Sequence, residues 1–147
     1  MRTVLVLNGP NLGRLGTREV DKYGSTSYAD ATALIEGWAG ELGLTVQVRQ
    51  SDAETDLVHW VHEAVDARWD VVINPAAFTH YSYALRDACA LVTSAGLRLV
   101  EVHLTNPHTR ETFRHTSVIS GVATGTIAGF GVDSYRLALS ALASPTP

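Results

Sequence analysis

Short apolar runs alternate along the chain with longer stretches in which apolar residues recur every three or four positions. Thr3 to Asn8 (TVLVLN) is almost continuously apolar, as in a strand buried on both faces of its sheet. Tyr28 to Leu42 carries Ala31, Leu34, Ile35, Trp38 and Leu42 at helical spacing, and Gly43 stands where a helix end favours glycine. Thr45 to Arg49 alternates and predicts a second strand. Asp56 to Arg68 places Leu57, Val61, Ala64 and Val65 on one helical face. Asp70 to Asn74 predicts a third strand, and His80 to Ser94 a helix that closes at Gly96. Leu97 to Leu104 and Thr124 to Phe130 predict two more strands, and Val132 to Leu142 a last helix. Residues 9–27 and 105–117 read as long polar loops.

The order β-α-β-α-β-α-β-loop-β-α predicts an α/β fold, an open parallel sheet between two helical layers. Five strands fit a flavodoxin-like three-layer sandwich better than the six-stranded dinucleotide fold. Such sheets bind ligands outside the carboxyl ends of their strands. No linker or repeat divides residues 1–147, which read as a single domain.

Composition narrows the function. With 46% apolar and 18% charged residues, the chain is no disordered segment. Its net charge of −4 lacks the basic excess of a nucleic-acid binder. A lone cysteine, Cys89, points to a reducing compartment and to a small core residue. The apolar run before Asn8 is too short for a signal-peptide core or a membrane span, so a cytoplasmic protein is expected. Of the 11 basic residues only Lys22 is a lysine, so any imine chemistry would depend on it.

Polar residues gather on one rim of the predicted sheet. Asn8 and Asn11 follow strand one, and Asn74, Thr79 and His80 follow strand three. Glu101, His103 and Thr105 end strand four, with Arg110 and Arg114 beyond. Glu101 and His103 are two apart in a strand and share a face. A carboxylate beside an imidazole orients the ring and favours its protonated form, which suits a general acid. A half-buried ion pair accounts for the two residues equally well. Loop 9–27 is long enough for a functional lid and carries Arg14, Arg18, Lys22 and Tyr23. Its GPNLGRLGTRE stretch lacks both the P-loop ending and the G-x-G-x-x-G of a dinucleotide turn. Arg18 near Tyr23 could stabilise a phenolate, although spacing alone favours a packing tyrosine. His59 and His62 do not form an H-E-x-x-H pattern and read as surface residues.

Five blocks carry a family resemblance. They are LNGPNLGRLGTRE with YGST at 7–26, INPAAFTH at 73–80, ALRDA at 84–88, EVHLTNPHTRETFRHTS at 101–117 and ATGTIAGFGVDSYRLAL at 123–139. In this order and spacing the chain resembles the type II 3-dehydroquinate dehydratases over nearly its whole length. The resemblance implies a flavodoxin-like catalytic domain assembled as a dodecamer, a tetramer of trimers. It also implies reversible dehydration of 3-dehydroquinate to 3-dehydroshikimate in shikimate or quinate metabolism, the former leading to aromatic amino acids. The elimination would be anti, through an enolate, with no cofactor and no metal. Tyr23 would be the base, Arg18 would lower its pKa, and Asn11 would hold the water that stabilises the enolate. His103 would be the general acid, oriented by Glu101. Asn74, His80 and Arg114 would bind substrate hydroxyls, and the amides of Leu104 and Thr105 the carboxylate. Asp87 would reach the site of a neighbouring subunit. Two departures from the family pattern touch the substrate: Thr105 stands where serine is common, and Ala76-Ala77 where a glycine is frequent. Two rivals share these residues. One is a lyase for another cyclic polyhydroxy keto acid. The other is a non-catalytic nucleotide or flavin module, against which the missing phosphate-loop spacing speaks.

Overall fold

The computed structural model describes residues 2–17, 21 and 25–145. Arg18 and Tyr23 lie outside the described residues. Five parallel strands, β1 (Arg2–Asn8), β2 (Leu44–Gln50), β3 (Asp70–Asn74), β4 (Leu99–His103) and β5 (Gly125–Ala128), form one sheet in the order β2-β1-β3-β4-β5. Helices α1 (Tyr28–Glu41), α2 (Glu54–Ala67), α3 (Tyr83–Ser94) and α4 (Asp133–Ala143) complete a flavodoxin-like α/β sandwich.

The period of two in the strands divides the core into two layers. Val4 and Val6 of β1, Val72 of β3 and Val100 and Val102 of β4 meet Ala31, Ile35 and Ala39 of α1. Ala138, Leu139 and Leu142 of α4 join the same layer. Leu5, Leu7, Val71, Ile73 and Leu99 face the other way, onto Leu57, Val61 and Ala64 of α2 and Leu85, Ala88, Cys89 and Val92 of α3. The near-continuous apolar run of β1 is therefore two alternating faces, each covered by helices. Gly43 follows the α1 cap residue Leu42 with φ of 73°, the left-handed turn expected there.

The boundaries differ from the sequence pattern in places. The helix expected from His80 begins at Tyr83, because Ser82 caps it by accepting a hydrogen bond from the Leu85 amide at 3.1 Å. Residues Ala76–His80 instead form a tight 3-10 turn. Helix α2 starts earlier than expected, at Glu54, while β4 and β5 are shorter than their apolar runs. The polar loop 105–117 contains two 3-10 turns, Pro107–Thr109 and Thr112–His115. Among the described residues, no helix is long and apolar enough to cross a membrane.

Candidate active site

The strand order places a switch point between β1 and β3, where one crossover leads outward to β2 and later ones lead to β4 and β5. Asn8 and Asn74 are register partners at the carboxyl ends of these two strands. The chain leaves β1 through Gly9, whose amide donates to the Asn74 carbonyl at 2.8 Å. A Cβ on Gly9 would lie 2.5 Å from the Pro75 carbonyl oxygen, so this approach of backbone to backbone requires glycine. Asn11 then turns with φ of 71°, and its amide donates to Asp52 at 2.9 Å.

On β4 the alternation sends Glu101 and His103 to the same face. Glu101 is fully buried, yet its carboxylate is well supplied with hydrogen-bond donors. His103 Nε2 donates to Oε2 at 2.5 Å, as does the Thr79 hydroxyl at 2.5 Å. The Ser120 hydroxyl donates to Oε1 at 2.5 Å, and Ser117 Oγ lies 3.0 Å from both oxygens. The Val118 amide holds this segment in place through the Thr79 carbonyl at 2.7 Å. Burial pushes the Glu101 carboxyl up, but the His103 hydrogen bond and charge, with the Ser120 and Thr79 hydroxyls, outweigh it. They hold the carboxyl below its ordinary value. Nearby, burial and the Glu101 charge push the Cys89 thiol up to about 12, which leaves it unreactive.

In front of His103 lies a cleft of about 110 Å³. Asn11, Asn74, His80, His103, Leu104, Thr105, Arg110 and Arg114 line it, with Ala76 and Ala77 on its floor loop, and among the described residues none that lines it is a carboxylate. His80 Nδ1 donates to the Thr116 carbonyl at 2.8 Å, which leaves Nε2 as the free ring nitrogen. Phe113 meets the His80 ring edge-on at 5.7 Å and carries the Arg114 guanidinium 4.6 Å above its own ring. Arg110 Nη1 donates to the Thr105 hydroxyl at 3.3 Å. The side chains of Arg110 and Arg114 are only 11% and 21% exposed, so their charges act in a partly dry site.

Seven of the residues expected from the sequence thus meet at one cleft: Asn11, Asn74, His80, His103, Leu104, Thr105 and Arg114. Glu101 stands behind His103. Asp87 does not join them within this chain; it lies on α3, 71% exposed, paired with Arg86 at 2.8 Å. Arg110 and Thr79, placed by the sequence only on the rim, prove to be in contact with key groups. Ser117 and Ser120 were not anticipated, because no periodic pattern connects a loop serine to a strand carboxylate.

Residues 2–143 match the family model described as Dehydroquinase class II. A 3-dehydroquinate dehydratase from Salinispora tropica is 60% identical over 141 residues, covering 96% of both chains. One from Mycobacteroides abscessus is 59% identical over 137 residues, 93% of each chain. The crystal structure of a type II dehydroquinase from Propionibacterium acnes superposes with a TM-score of 0.94 at 50% identity, covering 99% of this chain and 98% of that one. The family match, the relatives and the superposition each span nearly the full chain, and with the cleft at the switch point they place this protein in the class II dehydroquinase family.

Proposed function

We propose that the protein removes water from 3-dehydroquinate to give 3-dehydroshikimate. The observation that carries this reading is His103, fixed by a buried carboxylate on the wall of a cleft to which the described residues bring two guanidiniums and no carboxylate. A cyclic keto acid bearing several hydroxyls suits such a site. Its negative charge meets Arg110, Arg114 and the strand-end amides of Leu104 and Thr105, and its hydroxyls meet Asn74, His80 and Arg114.

The chemistry needs two proton transfers. A base takes the proton beside the ketone, and negative charge collects on the enolate oxygen. In this reading Tyr23 is that base, Arg18 favours its phenolate, and Asn11 holds a water against the enolate. The carbon–oxygen bond to the leaving hydroxyl then breaks in the anti sense, and His103 protonates the departing group as water. Because Nε2–H of His103 is engaged by Glu101, Nδ1 is the nitrogen that delivers the proton. Glu101 stays ionised throughout and stabilises the imidazolium before it gives up its proton. Asp87, exposed on α3, would in this reading serve a neighbouring subunit of a trimer-based dodecamer.

Ultraviolet absorbance tests the reading directly, since the product has a conjugated enone and the substrate does not. We expect a rise on adding 3-dehydroquinate that persists with chelator and with borohydride. A folded protein that gives no rise would overturn the assignment.

A further inference from the structure

Where β1 and β3 end side by side, a buried network joins Asn74 to Asn8 and Tyr135, two residues to which the proposed reaction gives no role. Tyr135 of α4 is 3% exposed, with its ring in the apolar layer beside Ala138 and Leu139. A phenylalanine would fill that space without the cost of burying a hydroxyl. The hydroxyl instead donates to Asn8 Oδ1 and accepts from Asn74 Nδ2 at 3.1 Å. Asn8 Nδ2 donates to the Arg49 carbonyl at 3.3 Å, and Asn74 Oδ1 accepts from the Ala76 amide at 3.2 Å.

Each bond in this chain sets the direction of the next. A backbone carbonyl can only accept, so Arg49 turns the NH2 of Asn8 toward itself and its Oδ1 toward Tyr135. Tyr135 has one proton, and Asn8 takes it. The phenol oxygen can then only accept, which draws the NH2 of Asn74. A flipped Asn74 would set its oxygen against an oxygen without a proton and its NH2 against the Ala76 N–H. One orientation alone satisfies the network, and Asn74 lines the cleft in that orientation.

We propose that Tyr135 is a positioning residue for substrate: its hydroxyl, aligned through Asn8, fixes the Asn74 carboxamide so that its spare N–H and lone pair face the substrate in one defined way. The inference rests on the dehydratase reading, in which Asn74 binds substrate. Tyr135 itself does not touch the cleft.

The test is steady-state kinetics with 3-dehydroquinate on wild type, Tyr135→Phe, Asn74→Ala and the double variant, with thermal melts of each. Tyr135→Phe is expected to raise KM about tenfold and to change kcat by less than about twofold, the signature of lost ground-state orientation. In the Asn74→Ala background the same change should alter KM by less than about twofold. A lower melting temperature with unchanged KM would make Tyr135 a structural residue only and overturn the proposal. An equal KM rise in both backgrounds would also overturn it, because Tyr135 would then not act through Asn74. Should Tyr135→Phe fail to fold, Asn8→Ala keeps the ring in place and releases the phenol proton. It must raise KM likewise, and an unchanged KM sinks the idea. Wild type without turnover would remove the dehydratase reading and this inference with it, whereas active wild type with unaltered Tyr135→Phe kinetics removes the inference alone.

Discussion

At the amino ends of the strands, Arg98 sends its guanidinium to the carbonyls of Leu142 at 2.8 Å and Ser144 at 3.1 Å, and to Asp70 at 3.4 Å. Arg2 joins it, with bonds to Leu142 and a 3.6 Å pairing with Asp70. These arginines satisfy the carbonyls that end α4 and a shared carboxylate, so their charge is used internally. At the carboxyl ends, Arg110 and Arg114 are about as sheltered as Arg98 but line a cleft that, among the described residues, has no carboxylate in its wall. The one buried acid there among the described residues, Glu101, is committed to His103 and three hydroxyls behind the cleft. The same residue types thus hold one end of the sheet together through sheltered partners, while at the other they share the half-exposed Glu111, at 3.9 and 3.0 Å, and border the cleft. What separates the two ends is how sheltered the paired carboxylate is: Asp70 is 13% exposed and Glu111 52%, and an exposed pair holds an arginine weakly enough for it to turn to a ligand.

The comparison breaks first at His103. Replacing it with alanine removes the proposed acid, and kcat should fall by about 10³-fold. The protein should still fold, because Thr79, Ser117 and Ser120 keep Glu101 hydrogen-bonded and its carboxyl can take up a proton. Single-turnover absorbance and a melting curve on one preparation measure both. A variant that keeps even a tenth of wild-type kcat would remove His103 from its role.

A matched pair of arginine changes comes next in size. Arg114→Ala should raise KM by roughly 10- to 100-fold, the loss of a charge-assisted contact, while the melting temperature barely moves. Its remaining partner Glu111 is half exposed, so no buried charge is stranded. Arg98→Ala should do the reverse: a loss of about 2 kcal/mol in stability, roughly 5 °C, with KM and kcat intact. Kinetics and melts on the two variants side by side test the contrast. If both lose stability alone, the carboxyl-end arginines are structural as well.

How much of this could be read from the sequence follows from which interactions are local. The two-faced burial of β1 and the left-handed turn at Gly43 follow from neighbouring residues and were legible. Glu101 and His103 were legible as a pair because a strand repeats every two residues. The donors on Glu101 were not. Ser117 and Ser120 lie 16 and 19 residues away, in a loop shaped by 3-10 turns that leave no periodic signal. Tyr135 was hidden differently: at helical spacing from Ala138 and Leu139 it reads as one more apolar position. Its hydroxyl finds Asn8, 127 residues away, only once α4 packs over the switch point. The start of α3 was misplaced because apolar spacing runs on through Ser82, although serine is itself a capping signal.

The smallest expected effect concerns backbone strain at the two ends. Ala76 holds φ of 52° at the cleft, and Arg68 holds 62° just beyond α2 at the opposite end of the sheet. Both are in the left-handed region that favours glycine. Relief of strain in Ala76→Gly and Arg68→Gly competes with the extra freedom that glycine gives the unfolded chain, so each should stabilise by at most about 1 kcal/mol. Arg68→Gly also loses a bond to the Ala95 carbonyl at 2.9 Å, which trims its gain further. The functional outcomes should separate. The Ala76 amide holds Asn74 Oδ1, so a freer residue there loosens the carboxamide, and KM should rise about two- to threefold with kcat little changed. At Arg68 nothing connects the turn to the cleft, and KM should not move. Melting curves and Michaelis constants for the two variants settle it: equal kinetics would mean that the strain at Ala76 belongs to the turn and not to the holding of substrate.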